Sequence, residues 1–390
     1  MLKNKNILVG ISGSVAAYKT IDLIRRLIDE GASVSVIMTD AARKFITPLT
    51  YQAISNNKVY TDLYSEPMSH ILLPANADLF VIAPATANII GKFASGIADD
   101  LLTTCFIAST CKKIIAPAMN WRMYENPVVQ SNLKSLLSKG IIQIGPEKGS
   151  LACGEEGSGR MSEAVDIFEA VKSALTEKDL QNEKIIVTAG PTREYIDPIR
   201  FISNRSSGKM GYALAKVALR RGAEVTLISG YSKLPPPRGA VFISVESAEE
   251  MNNAVKSEIA SSSVLIMAAA VSDFKPSDFS FEKIDKHQLD SLKIIKTVDI
   301  ISEARKNNPE VFIIGFSAET GFKPERALKK MNEKNMDMIV FNDVTEAGAG
   351  FDKDTNKVIL IDRNSQIELP LMDKESVANE ILNRMKKIKA

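Results

Sequence analysis

The strongest constraint on the fold is a pattern that occurs twice, about half a chain apart. An apolar run enters a glycine-containing turn and a helix-forming stretch, and the helix closes on Gly-Ala before a second apolar run. The first copy runs from Ile7 through Gly10, Gly13 and Gly31-Ala32 to Ile37; the second runs from Ile185 through Gly190, Gly208 and Gly222-Ala223 to Ile228. Buried parallel strands read as near-continuous Val, Ile and Leu runs. The turn after such a strand is where an open α/β sheet takes phosphates, because glycines let them approach the amides of a helix N-terminus. Two copies in 390 residues, more than one domain ordinarily holds, predict two nucleotide-handling α/β domains.

Composition narrows the function. Lys and Arg total 49 against 47 Asp and Glu, a balance with no electrostatic pull toward nucleic acid or an anionic membrane. No apolar run is long enough to span a bilayer, and residues 1–6 lead into a strand without a signal-peptide apolar stretch. The three cysteines (Cys105, Cys111, Cys153) lack metal-ligand spacing and read as reduced thiols. With two histidines, His70 and His287, a histidine-built metal site is not expected. The expectation is a soluble, cytoplasmic protein with no nucleic-acid or membrane partner.

Strand-like runs at Ile7–Gly10, Val34–Met38, Leu79–Ala83, Lys113–Ala116 and Ile141–Ile144 alternate with helical spacing at Ala16–Glu30, from Asn88 onward and at Val129–Lys139. Glu147 to Met161 holds four glycines and little periodicity, which reads as a loop or flap. Ala164–Leu175 reads as a closing helix, and Thr176 to Glu183 as a linker. Strands are then expected at Ile185–Thr188, Val225–Ser229, Val264–Ala268, Val311–Gly315 and Met338–Phe341, followed by an antiparallel edge hairpin within Asn356–Leu369 and a helix at Lys374–Lys389. Pro235-Pro236-Pro237 marks an extended loop. These elements predict two Rossmann-like, three-layer α/β/α domains, residues 1–178 and 184–390.

In the first domain, Ser12-Gly13-Ser14, Thr39 and the run Pro84-Ala85-Thr86-Ala87-Asn88 put hydroxyl and amide groups at strand ends, which suits a phosphate and a flat heteroaromatic ring. His70 is a lone histidine, a type more often packed or capping than catalytic. Asn120 ends a buried strand, where its amide has the chemistry to bind a carboxylate, although turn-forming asparagines are commonplace. Cys153, on the glycine-rich stretch, is poorly explained as core filler and reads as a reactive thiol.

The motifs GISGSVAAYK, SHILL, ADLFVIAPATAN, GIADDLLTT, PAMNWRM and ACGEEGSGRM, in this order, resemble those of the flavin-dependent phosphopantothenoylcysteine decarboxylases. The resemblance covers residues 1 to about 175. It implies bound FMN with Ser12, Ser14, Thr39, Thr86 and Asn88 near its phosphate or ring. It also implies His70 as base, Asn120 as ligand of the substrate carboxylate, and Cys153 as donor of a proton or reducing equivalent. Gly13-Ser14-Val15 departs from the Gly-Gly-Ile common in that family, a small change in a short turn.

In the second domain, Gly190 to Gly211 has the glycines and hydroxyls of an anion cradle without the spacing of a P-loop. A capped helix with a serine-rich entry explains Ser206 and Ser207, but not Arg193, Arg200 and Asn204 together. Ala268-Ala269-Ala270 ends a strand with small residues, as where a base or acyl group packs on backbone. Lys330 and Lys334 share a helix face.

The motifs TAGPTREYIDPIRFISNRSSGKMG, AAAVSDF, GFSAET and Asn342-Asp343-Val344 resemble those of phosphopantothenate–cysteine ligases, and the order of the halves resembles the bifunctional bacterial enzymes of coenzyme A synthesis. That resemblance implies that 4′-phosphopantothenate, L-cysteine and CTP are the substrates, with CTP as co-substrate, and that Mg²⁺ is a cofactor. Asn204 would serve the acyl-cytidylate step, and Asp273, Lys283, Phe316, Lys330 and Lys334 would contact CTP beside Thr297, Val298, Asp299 and Ile300. The family's Asn-Pro-Asp-Ile is Thr297-Val298-Asp299-Ile300 here, which bears on those side-chain contacts. A homo-oligomer, of dodecameric order, is implied in the same way. The alternative is another flavin-dependent enzyme, flavin prenyltransferase-like, fused to a nucleotide-binding domain; a non-enzymatic scaffold on an inactive flavodoxin-like fold is a further one.

Overall fold

The computed structural model describes residues 2–150, 156–285, 291–346, 348, 350 and 352–389. The chain divides into two compact units, Met1–Thr176 and Glu177–Ala390.

In the first unit, β1 (Asn6–Ile11), β2 (Ser33–Met38), β3 (Val59–Tyr60), β4 (Leu79–Ala85), β5 (Lys112–Pro117) and β6 (Ile142–Gln143) form one sheet. Its order is β3-β2-β1-β4-β5-β6, with every pairing parallel. Alternation along β1 sends Ile7, Val9 and Ile11 to one face, against Leu23, Ile24, Leu27, Ile167 and Val171. Leu8 goes to the other, with Phe80, Ile82, Ile90 and Phe106. Helices therefore cover both faces, and the strand order reverses between β1 and β4, which opens a crevice at the carboxyl ends of the strands. Within the stretch expected to be a loop or flap, Glu147–Ser150 and Glu156–Arg160 form β7 and β8, an antiparallel pair. The cause lies outside the stretch: a Cβ at Gly159 would sit 2.1 Å from the Met119 carbonyl oxygen and one at Gly157 2.6 Å from the Trp121 side chain. Backbone packing against that segment replaces the apolar alternation by which strands are usually recognised.

The second unit contains β9 (Lys184–Ala189), β10 (Arg193–Tyr195), β11 (Phe201–Ser203), β12 (Glu224–Ser229), β13 (Val241–Ser244), β14 (Val264–Met267), β15 (Phe274–Pro276), β16 (Ile294–Lys296), β17 (Phe312–Glu319), β18 (Met338–Asp343), β19 (Thr355–Asn356), β20 (Val358–Asp362), β21 (Gln366–Glu368) and β22 (Met372–Asp373). The main sheet runs β13-β12-β9-β14-β17-β18-β20-β21, parallel up to β18 and antiparallel over the edge hairpin β20–β21. Three short antiparallel pairs, β10–β11, β15–β16 and β19–β22, lie outside it.

Both Gly-Ala pairs close helices by one device. Gly31 (φ +88°) and Gly222 (φ +93°) are left-handed. Gly31 and Ala32 donate to the carbonyls of Ile28 and Leu27, and Gly222 and Ala223 to those of Leu219 and Ala218. This double bond pattern satisfies carbonyls a helix end otherwise leaves open, and glycine adopts the required φ without a Cβ clash.

Candidate functional site

The crevice of the first sheet contains a cavity of about 570 Å³. Four helix starts converge on it, because Ser14, Thr39, Thr86 and Asp100 are each the N-cap of a short helix following a strand or turn. Their side chains accept from Ala16, Ala42, Ile89 and Thr103 backbone N–H groups, at 3.2, 3.2, 3.4 and 2.8 Å. The remaining N–H groups of each first turn face a space where negative charge is favoured. Ser12, 2 % exposed, ties the floor together: its hydroxyl donates to the Pro84 carbonyl at 2.7 Å and accepts from the Thr86 N–H at 3.2 Å. Ser12, Ser14, Thr39, Thr86 and Asn88 all line this cavity. Sequence reasoning missed Asp40, Thr61, Lys92, Asp100, Met119 and Met123 on the same walls; Asp100, ahead of Leu-Leu-Thr, carries the one legible signal, an N-cap pattern.

The other decarboxylase candidates stand apart from that lining. His70 lies in the helix Ser69–Ala75, and its Nδ1 is buried with no hydrogen-bond partner among the described residues. Asn120 caps the helix Trp121–Tyr124, accepting from the Arg122 N–H at 2.9 Å; its neighbours Ala118 and Met119 do line the cavity. Met119 N–H donates to the Gly159 carbonyl at 3.0 Å, so β8 lies against the segment bearing Asn120. Cys153 falls outside the described residues.

In the second unit, a cavity of about 660 Å³ opens at the carboxyl ends of β14, β17 and β18. Asn204, Asp273, Thr297, Val298, Asp299, Ile300, Phe316, Lys330 and Lys334 line it; Lys283 does not and is exposed. Asn204 Nδ2 donates to the Val271 carbonyl at 2.8 Å. Thr297, which departs from the family pattern, donates its hydroxyl to the Ser272 carbonyl at 2.6 Å, while its N–H reaches the Asp273 carbonyl. The substituted residue thus clips the two sides of the wall together.

Charge in this cavity is arranged in two groups. Asp299 caps the helix Ile300–Asn307 and pairs with Lys334 at 2.9 Å. Burial would raise the Asp299 pKa, but Lys334 and the bonds from Ser302 outweigh it and hold it below the usual carboxylate range. Lys330 donates to the Phe316 carbonyl at 3.1 Å, and burial first, then the neighbouring Lys334, lowers its pKa. The second group was not read from sequence. Lys209, first residue of the helix Lys209–Arg220, pairs with Asp354 at 2.7 Å, and Arg205 with Asp352 at 2.6 Å. Lys374, 7 % exposed, starts the last helix and enters the same cavity. Burial, reinforced by Lys209, lowers the Lys374 pKa. Surplus cations in a half-desolvated cleft are chemistry for a polyphosphate. Among the described residues no cluster of three His, Cys, Asp or Glu could hold a metal ion, and no helix is long and apolar enough to cross a membrane.

Two family models divide the chain between them: Flavoprotein matches residues 1–176, and the DNA/pantothenate metabolism flavoprotein C-terminal domain matches residues 180–388. The coenzyme A biosynthesis bifunctional protein CoaBC of Bacillus subtilis is 45 % identical over 99 % of this chain and 97 % of its own length. That of Escherichia coli strain K12 is 41 % identical over 98 % and 97 %. Among solved structures, the C-terminal domain of a coenzyme A biosynthesis bifunctional protein CoaBC is 40 % identical with a TM-score of 0.48, covering 54 % of this chain and 98 % of that one. A mutant PPC decarboxylase complexed with pantothenoylaminoethenethiol is 35 % identical with a TM-score of 0.39, covering 44 % and 97 %. With full-length identity above two-fifths and both halves matched in order, the chain belongs to the family of bifunctional coenzyme A biosynthesis proteins.

Proposed function

We propose that residues 184–390 join 4′-phosphopantothenate to L-cysteine at the expense of CTP, and that residues 1–178 decarboxylate the resulting phosphopantothenoylcysteine to 4′-phosphopantetheine with FMN. The observation that carries this reading is the second cavity. It gathers the small-residue strand end Ala268–Ala270, Asn204 and two sets of cations in about 660 Å³, room for a nucleoside triphosphate and an acyl group together.

In the ligation, the substrate carboxylate attacks the α-phosphate of CTP, pyrophosphate leaves, and the cysteine amine then displaces CMP from the acyl-cytidylate. Lys330, Lys334, Lys209 and Lys374 balance the charge that gathers on the leaving pyrophosphate. Asp273, exposed at the rim, suits the cytosine amino group as an acceptor. Asn204, fixed through Val271, would orient the acyl-cytidylate. Lys283, outside the lining, would bring a further positive charge to the phosphates. Magnesium is the expected companion of the triphosphate, but the described residues offer it no acidic cluster.

In the decarboxylation, the first cavity suits FMN: helix starts capped by Ser14, Thr39 and Thr86 favour a phosphate, and Met38, Met119 and Met123 give a ring apolar contact. Bound there, FMN would supply the two-electron oxidation of the cysteinyl thiol and its reversal after CO₂ leaves. Ser12 holds the floor rigid. His70 as base, Asn120 as carboxylate ligand and Cys153 as proton donor carry over from their motifs. By the same reading the protein is cytoplasmic and a dodecameric homo-oligomer.

The test is a visible absorption spectrum, then CTP-dependent pyrophosphate release with phosphopantothenate and cysteine. Cys153→Ser is expected to leave ligation intact and stop phosphopantetheine formation; Asn204→Asp is expected to accumulate acyl-cytidylate. A protein that takes up no flavin and releases no pyrophosphate would refute the reading.

A further inference from the structure

The ribbon β10–β11 ends in the turn Asp197–Arg200, and Asp197 is fully buried there. Its Oδ1 accepts the N–H groups of Ile199 and Arg200 at 2.9 and 2.8 Å, which is what a turn-forming aspartate does locally. A structural turn needs no more than that. The second oxygen, however, reaches far along the chain: Oδ2 accepts the Ile284 N–H at 3.3 Å and the Arg200 guanidinium at 3.3 Å. Arg200 Nη1 in turn donates to the Ile284 carbonyl at 3.1 Å. Both backbone groups of Ile284 are thus held by one carboxylate–guanidinium pair, and Ser280 N–H adds a bond to the Ile196 carbonyl at 3.0 Å.

Ile284 directly follows Lys283. The segment between β15 and β16 is tied at its root by that ribbon and by the Ser277 N–H to the Lys293 carbonyl; the turn at Asp197 holds it further out. Burial alone would push the Asp197 pKa up, but three backbone N–H donors and Arg200 outweigh it and hold it below the usual range, so the acceptor is charged at neutral pH.

We infer that Asp197 is a positioning residue for ligation: by gripping the Ile284 peptide, together with Arg200, it fixes the main chain from which Lys283 reaches CTP. This rests on the reading that Lys283 serves the CTP step. Asp197 touches no substrate and acts only through the segment. Replacing it with asparagine exchanges one acceptor oxygen for an NH₂ group, which cannot accept from Ile284 and faces the Arg200 cation.

The experiment is a double-mutant cycle on the full-length protein, measuring CTP-dependent pyrophosphate release. Lys283→Gln is expected to slow it by at least about tenfold and Asp197→Asn by about tenfold, the cost of a reacting group displaced by an ångström or less. The decisive value is the double variant. If Asp197 works through Lys283, the double is no slower than Lys283→Gln alone. Multiplying effects would overturn the inference, because a general scaffold role is independent of Lys283. A wild-type rate for Asp197→Asn beside a slow Lys283→Gln would also overturn it. A wild-type rate for Lys283→Gln would instead remove the underlying reading of Lys283 and the inference with it. Should Asp197→Asn fail to fold, Ile284→Pro deletes the donor from the other side of the same contact and takes its place in the cycle.

Discussion

Asp179 gives the sharpest quantitative test of how the ligase unit holds its cavity. The two helices whose first residues enter that cavity, Lys209–Arg220 and Lys374–Lys389, are joined behind it by Arg221, whose side chain is 5 % exposed. Arg221 Nε and Nη2 donate to the two oxygens of Asp179 at 2.9 and 2.7 Å, and Nη1 reaches Asn383 Oδ1 at 2.8 Å. Lys386 adds a contact to Asp179 at 3.0 Å. The Arg221 fork, opposed by burial and helped by Lys386, moves the Asp179 pKa from 3.8 to about 2. A drop of nearly two units corresponds to roughly 2.5 kcal/mol of folding stability at neutral pH. Because the folded-state pKa is the lower one, this stability is complete above the unfolded value and is lost as the pH falls through the folded value. Asp179→Asn is therefore expected to cost about 2–2.5 kcal/mol at pH 7, about half that at pH 3 and a few tenths near pH 2. The readout is hydrogen exchange of the Lys209–Arg220 amides in urea, since the one tryptophan, Trp121, reports the other unit. A gap below about 0.5 kcal/mol at pH 7, or one unchanged between pH 7 and pH 3, would refute the assignment of the shift to this pair.

Ser12→Ala orphans the Thr86 N–H at the floor of the first cavity and should weaken flavin retention by about tenfold, the cost of one unmet buried donor, read by fluorescence titration of the released flavin. Gly230→Ala would place a Cβ 2.1 Å from the Pro191 carbonyl oxygen; backbone cannot swing aside, so a loss of about 1–3 kcal/mol and slower pyrophosphate release are expected. Gly91→Ala is the contrasting case. It lies in the helix Ala87–Ser95, and the nearest neighbour of its Cβ would be Asn132 Nδ2 at 3.7 Å, so thermal unfolding should show a gain of up to about 1 kcal/mol.

Much of this protein is written locally. The Val- and Ile-rich runs became the parallel strands, and the two Gly-Ala pairs became helix closures, because burial on both sheet faces and a left-handed φ each demand particular residue types within a few positions. The helix Ala164–Leu175, the edge hairpin and the last helix were legible for the same reason. So were Ser12, Ser14, Thr39, Thr86 and Asn88 of the first cavity, since a hydroxyl or amide after a buried strand is a short-range pattern.

What the sequence left open was decided by partners distant along the chain. The glycine-rich stretch became β7 and β8 because its glycines admit the Met119 and Trp121 backbone and ring, and no spacing within the stretch records that. The ribbons β10–β11 and β15–β16 are three residues a side, too short to show a period. Lys374 reaches the second cavity only because its helix packs on the helix Lys209–Arg220. Lys283, implied only by the family resemblance, lies outside the lining of the second cavity, and His70 lies outside that of the first. Residue types and their spacing determined the two sheets and the chemistry available at their strand ends; tertiary packing alone decided which of those groups share a cavity, because that depends on contacts between segments whose separation leaves no periodic trace.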